Sequence, residues 1–275
     1  MDIKQAITQR RSVRTYKDEP ISQELREKLK SYIADVPSPF NPRTRFVMLD
    51  TDEISGRIKL GTYGVINGAK TFICGISEKA FRYEENLGYA FERIILYATS
   101  LGLGTCWLGG TFNRANFAKA AELKGNEVIP VVSPVGYPKE KRNLIDSVLV
   151  KSAGSVNRKD WSELFFDGNF ENPLKRETDH KIAEALDMVR LAPSASNKQP
   201  WRIVKSGQLY HFFLSRTPGY KTLLGFDIQR LDIGIAMCHF EMMIQELGLK
   251  GKWIDEDPGI NPEKNTEYII SYLVE

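Results

Sequence analysis

Apolar residues at helical spacing, Leu25, Leu29 and Ile33, follow an Ile21-Ser22 start and predict a helix running to about Ala34, with Ser22 as its N-cap. A strand is expected at Phe46-Val47-Met48-Leu49, a charged helix from about Asp52 to Leu60, and a buried strand at Thr71-Phe72-Ile73-Cys74-Gly75-Ile76. Leu87 to Leu101 is apolar nearly all round, which predicts a central helix rather than a surface one. Val128 to Val135 reads as a buried strand in spite of Pro130 and Pro134. After an irregular stretch, 143–172, come a helix through Ile182, Ala185, Leu186 and Val189, and a strand at Arg202-Ile203-Val204. A long helix from Ile233 to Leu247 and a last strand, Glu267 to Leu273, complete the pattern. A short helix over residues 2–9 precedes all of them.

The pattern repeats. Pro37, Ser38 and Asn41 lie between a helix and a strand, and Pro193, Ser194 and Asn197 lie in the same context 156 residues later. The helix end Leu101-Gly102-Leu103 recurs as Leu247-Gly248-Leu249, with Trp253 on Trp107, 146 residues on. Gln199-Pro200-Trp201 closes the second loop, where the first has Arg43-Thr44-Arg45. The domains expected are an N-terminal half over 1–145, a crossover over 146–172, and a C-terminal half over 173–275.

Composition narrows the classes. The chain has 275 residues, 42% hydrophobic and 27% charged, with net charge +3, so ordinary globular packing is expected and no charge argument favours nucleic acid or membrane. Cys74, Cys106 and Cys238 have no ligand spacing, alone or with His180, His211 and His239, so no metal is expected; free thiols suit a reducing cytoplasm. Met1-Asp2-Ile3-Lys4-Gln5 lacks the apolar core of a signal peptide, and Ile94 to Gly110 carries too many glycine and polar residues for a membrane span.

Candidate chemistry gathers in a few runs. Arg10, Arg11, Ser12 and Arg14 offer guanidinium forks and a hydroxyl to an anion. Asn67 and Lys70 precede a strand, at a spacing that does not fit a phosphate-binding loop. Gly102-Leu103-Gly104 ends a helix instead of opening one, so it is no dinucleotide fingerprint, whereas Gly109 and Gly110 can present bare backbone N–H groups. Lys141 and Arg142 form a basic cluster after Gly136-Tyr137-Pro138. Ala192-Pro193-Ser194-Ala195-Ser196-Asn197-Lys198-Gln199-Pro200-Trp201 makes a shaped loop with free donors and an apolar anchor.

Arg-Arg-Ser-Val-Arg, Asn-x-x-Lys, Gly-Leu-Gly-Thr-Cys-Trp-Leu-Gly-Gly, Val-Gly-Tyr-Pro-x-x-Lys-Arg and Ala-Pro-Ser-x-x-Asn-x-Gln-Pro-Trp together resemble the FMN-dependent nitroreductase family, over most of the chain. The resemblance implies an α+β fold: two pseudo-symmetric halves, mixed sheets flanked by helices, standing for the family's homodimer in one chain. It implies a monomer with one FMN per chain between the halves, NAD(P)H as reductant, and a small acceptor such as a nitroaromatic or quinone. By position, Arg10 and Ser12, with Lys141 or Arg142, would hold the FMN phosphate. Arg14, Asn67 and Lys70 would face the pyrimidine edge, where a cation favours the reduced flavin. The Gly110 N–H would lie at N5, with Arg11 and Gly109 beside these groups, and Pro193, Ser194, Ala195 and Asn197 would cover one side from the other half. Two departures stand out: Gly109 replaces an acidic residue and Ala195 a second serine. The alternative on the same fold is a flavin-binding protein without turnover. Residues 143–172 and 216–230 are the candidate lids.

Overall fold

The computed structural model describes residues 2–54, 58–139, 157–178, 180–218 and 224–275. Two sheets, each backed by one long helix, face each other through those helices. The first sheet is antiparallel throughout, in the order β1-β2-β4-β3, from Thr44–Asp50, Thr71–Glu78, Glu127–Gly136 and Gly104–Thr105. The second has the order β5-β6-β7-β9-β8, from Phe165–Asp167, Trp201–Ser206, Leu209–Ser215, Thr266–Val274 and Gly251–Ile254, with β5 parallel to β6 and the other pairs antiparallel. The helices are α1 (Ile3–Gln9), α2 (Gln23–Ala34), α3 (Thr51–Ile54), α4 (Tyr83–Ser100), α5 (Arg114–Ala120), α6 (Trp161–Leu164), α7 (His180–Arg190) and α8 (Ile228–Glu246). The fold is thus mixed α+β, as expected.

The central helices end alike. Gly102 and Gly248 take positive φ, 76° and 74°, one residue beyond the C-cap. The next N–H reaches back five residues in each case, Leu103 to Ala98 O and Leu249 to Ile244 O, both at 3.0 Å. The tryptophan that follows donates to a carboxylate on its own half's helix, Trp107 to Glu92 and Trp253 to Glu241, each at 2.8 Å.

α4 and α8 cross where neither has a side chain. A Cβ on Gly88 would stand 2.2 Å from Leu231 O, and one on Gly234 2.1 Å from Glu85 O. These glycines are themselves 146 residues apart. Backbone meets backbone there, so an added methyl must push the helices apart. Gly234→Ala should cost about 1–3 kcal/mol, read as a lowered denaturant midpoint; an unchanged midpoint would show that the crossing gives way freely.

Two expectations need correction. Of the charged helix expected over residues 52–60, the turn Thr51–Ile54 is helical and residues 58–60 lie in no helix, while residues 55–57 lie outside the described residues. The irregular stretch 143–172 contains α6 and β5, so the second sheet begins at Phe165, before residue 173. Leu164-Phe165-Phe166 is fully or almost fully buried, and that apolar run is what drives the strand.

Candidate active site between the two halves

Residues 10–16 leave α1 as an extended tape laid across three segments. Arg10 caps α1 through its N–H to Ala6 O at 2.9 Å. Ser12 bridges Thr105, and the Val13 N–H donates to Thr105 O at 2.8 Å. Asn67 and the tape exchange bonds at 2.9 Å, Asn67 N–H to Arg14 O and Tyr16 N–H to Asn67 O. Lys17 N–H to Tyr137 O and Lys139 N–H to Thr15 O, both 3.0 Å, add the segment after β4. One stretch of backbone therefore gathers the Arg10–Arg14 cluster, Asn67, the start of the Gly104–Gly110 run and Tyr137–Lys139. Arg11 is exposed while Arg10, Ser12 and Arg14 are half-buried. Lys141 and Arg142 lie outside the described residues.

Lys70 has two carboxylates beside it. Its Nζ is 3.0 Å from Asp18 and 3.5 Å from Asp52, and the Asp18 hydrogen bond, followed by the charges of Asp18 and Asp52, holds its pKa above the ordinary lysine value. Its charge is met by two carboxylates.

Gly109 and Gly110 form a turn clamped from below by Arg114, whose guanidinium donates to Gly109 O at 2.7 Å, Ile129 O at 2.5 Å and Pro130 O at 3.2 Å. From the other half, Ile228 and Phe226 press on Gly109 and Leu224 on Gly110; a Cβ on Gly109 would lie 2.9 Å from Ile228 Cδ1. A side chain at this position would have to displace the tip of Ile228. The part of 216–230 that is described thus sits on the turn.

The loop from the C-terminal half follows α7 and contains a 3-10 turn, Ala195–Asn197. Ser196, Asn197 and Gln199 take φ of 47°, 55° and 48°, a concentration of left-handed non-glycine residues that marks a site held in one shape by its surroundings. The surroundings are visible. Ser194 Oγ accepts the Gln199 N–H at 2.8 Å, and Gln199 Oε1 accepts the Lys159 N–H at 2.9 Å. Both carboxylate oxygens of Asp232, at 3.0 and 3.1 Å, receive the Ala195 N–H from below. Burial pushes the Asp232 carboxyl well above the usual carboxylate range, only partly opposed by that N–H. Arg158 clamps the loop's entry, donating to Leu191 O at 3.0 Å, Ala192 O at 2.9 Å and Asn197 Oδ1 at 3.2 Å.

Arg158 feels the charge of Arg10. Burial, then the positive charge of Arg10, pulls the Arg158 pKa down to about 10. Arg10 itself has two buried nitrogens, Nε and Nη1, with no hydrogen-bond partner among the described residues. A buried guanidinium with orphaned donors demands an acceptor, and a phosphate supplies several oxygens of the right charge and geometry. The residues present therefore fit the anionic end of FMN. Arg158, Asp232 and Arg114 were not singled out by sequence, since each acts through a partner that only the fold brings near.

The corresponding place in the other half is built differently. Asn86, 146 residues before Asp232, accepts the Phe40 N–H at 3.0 Å and donates to Pro42 O and Thr44 Oγ1, pinning the 37–45 loop. Asp255, 146 residues after Gly109, is bridged at 2.5 Å by Arg82, whose guanidinium also donates to Ile269 O and lies over the rings of Phe40 and Phe81. An ion pair stands where the first site has a glycine. Among the described residues no helix is long and apolar enough to cross a membrane, and no group of His, Cys, Asp or Glu is placed to hold a metal.

A family model described as "Putative TM nitroreductase" matches residues 2–244. A crystal structure from Thermotoga maritima, described as a putative nitroreductase, covers 100% of this chain and 93% of its own at TM-score 0.63 and 20% identity, which supports the fold. Two proteins called "Putative NADH dehydrogenase/NAD(P)H nitroreductase" are similar over part of the chain. The one from Archaeoglobus fulgidus is 28% identical over 164 residues, 55% of this chain and 94% of its own length. The one from Methanothermobacter thermautotrophicus is 29% identical over 160 residues, 53% of this chain and 84% of its own.

Proposed function

The chain belongs to the family described as "Putative TM nitroreductase", and from that premise we propose that it is an FMN-dependent oxidoreductase with one flavin site per chain. FMN would supply the redox chemistry, taking hydride from NAD(P)H at N5 and passing it to a small acceptor such as a nitroaromatic or quinone. The observation that carries the reading is the orphaned guanidinium of Arg10 at the meeting of the two half-sites. Around it the chain's own groups have distinct tasks. Arg10 and Ser12 bind the phosphate, the Gly110 N–H lies at the reactive edge on a turn that Arg114 holds, and the Pro193–Asn197 loop covers the ring. These groups position and polarise, so no nucleophile or general base is required of the protein. The nicotinamide reductant follows the names of the similar archaeal proteins.

The reading also takes the chain as an internal duplication that is monomeric, its two halves already serving each other as partners. Support comes from the helix ends, tryptophans and crossing glycines spaced by 146 residues. Relatives that match nearly whole while covering about half of this chain agree with it. The Arg82–Asp255 pair and the altered 37–45 loop argue against a second flavin. Flavin content per chain after FMN is added back, read by absorbance on denaturation, is expected to be one. A value of two would mean the Arg82 side also binds, and none would overturn the flavin reading. With one bound, oxidation of NADH or NADPH by a quinone separates an enzyme from a flavin carrier.

A further inference from the structure

Glu92 on α4 and His239 on α8 have side chains with no exposure to water, and Glu92 Oε1 faces His239 Nε2 at 2.9 Å between the two central helices. Each also reaches away from the pair. Glu92 Oε2 accepts the Trp107 indole N–H at 2.8 Å, and His239 Nδ1 lies 2.9 Å from Met188 O. A carbonyl oxygen only accepts, so Nδ1 carries a hydrogen and donates it. One further proton must then lie between Glu92 and His239, for otherwise two lone pairs would meet at 2.9 Å. With that proton the pair is neutral as a whole, whichever partner holds it. Trp107, Glu92, His239 and Met188 thus form one chain of hydrogen bonds.

The ends of the chain are the walls of the cleft. Trp107 stands two residues before Gly109, and its ring is seated edge-on against Phe91 of α4, with centroids 4.9 Å apart. Met188 is in the last turn of α7, which runs into Leu191, Ala192 and the Pro193–Asn197 loop. Its carbonyl also accepts the Leu191 N–H at 3.2 Å, so His239 caps the helix where the loop departs. A buried polar pair is costly, and an apolar pair of the same volume would often serve the fold as well. What an apolar pair lacks is direction. In the other half, 146 positions away, Cys238 stands for Glu92 and Arg93 for His239, and Arg93 donates to Tyr89 of its own helix at 3.0 Å. The carboxylate–imidazole pair is therefore particular to this cleft.

We infer that Glu92 and His239 are positioning residues that brace the cleft: they fix the Gly109–Gly110 turn of the first half against the Pro193–Gln199 loop of the second, so that loosening either wall loosens the other. That these walls enclose a flavin rests on the reading above; the brace itself does not. Substitutions separate the link from the proton. In Glu92→Gln the amide oxygen accepts from Trp107, the amide N–H donates to His239 Nε2, and Nδ1 still donates to Met188 O, so the chain survives without the extra proton. Adding His239→Leu to that variant cuts the chain beside α7 and leaves no buried charge. Trp107→Phe cuts it beside the turn.

The test is backbone hydrogen–deuterium exchange on the full-length apo-protein, read by mass spectrometry over residues 104–113 and 188–199. Glu92→Gln is expected to exchange like wild type in both segments. The double variant Glu92→Gln/His239→Leu should exchange about twofold to tenfold faster in both, and so should Trp107→Phe. The strands Thr71–Glu78 and Leu209–Ser215, one in each sheet, should exchange as in wild type, which marks the effect as local. A cut that speeds only the segment beside it, or neither segment, would overturn the brace. So would equal speeding of the two strands, or Glu92→Gln behaving like the double variant. If the double variant does not fold, Trp107→Phe decides: faster exchange in both segments supports the brace, and in the turn alone refutes it. FMN added to wild type should slow both segments together. If it slows neither, the flavin reading fails, while the brace is still decided on the apo-protein.

Discussion

Replacing Arg230 by alanine should lower folding stability by about 3–5 kcal/mol at neutral pH. The Glu85 side chain, on α4, has no exposure to water, and its partner at 2.5 Å is Arg230 on α8. The second oxygen of Glu85 is buried without a hydrogen-bond partner among the described residues, so removing the guanidinium leaves a desolvated carboxylate. The other carboxylates that Arg230 touches are better provided for. Arg216 also bridges Asp227 and Glu267, and Asp227 caps α8 through the N–H groups of Gln229 and Arg230. The loss is thus concentrated on one group. Because α4 belongs to the first half and α8 to the second, it falls on the seam between them.

The penalty should depend on pH in a definite direction. Burial already raises the Glu85 pKa, against the lowering by Arg230. Without Arg230 the folded-state pKa rises further above its unfolded value, so the folded form binds more protons between the two and stability falls as pH increases through that window. Below the unfolded pKa the carboxyl is protonated in both states and the penalty vanishes. Urea midpoints at neutral pH and near pH 5 check this. A wild-type-like midpoint, or a deficit that widens toward acid, would refute it.

Arg10→Ala should act in the opposite sense on stability and strongly on the flavin. It removes a charge-assisted hydrogen bond to phosphate, weakening FMN by about 1.5–3 kcal/mol, or roughly tenfold to over a hundredfold in Kd. In the free protein the same substitution deletes two orphaned buried donors and a like charge whose field reaches Arg158. The apo-protein should therefore be at least as stable as wild type, the pattern of a group kept for function at the expense of the fold. Fluorescence titration and a thermal melt on one preparation measure both. Unchanged FMN affinity would place the phosphate elsewhere, and a destabilised apo-protein would make Arg10 a structural residue.

What could be read from the sequence was what lies in contiguous runs. The central helices announced themselves by apolar residues on every face, and the Pro193–Trp201 loop by its turn chemistry. The basic tape and the Gly109–Gly110 turn were visible because their residues are adjacent. β5 escaped because three residues are too few for a period. Arg158, Asp232 and the Glu85–Arg230 pair escaped for another reason. Their meaning lies in partners 33 to 145 residues away, and no local pattern encodes a choice of partner. The carboxylates beside Lys70 escaped in the same way, since Asp18 and Asp52 come to it only through the fold.

Asn86 and Asp232, and likewise Asp255 and Gly109, occupy matching places in the two halves with different chemistry. In a dimer of identical chains every substitution appears at both clefts at once, so a residue that ruins one ruins the pair. On the proposed reading, in which one chain holds both halves, that bond is escaped. One cleft can be traded for an ion pair that braces the structure, while the other keeps the strained loop and unbalanced charges that a ligand needs.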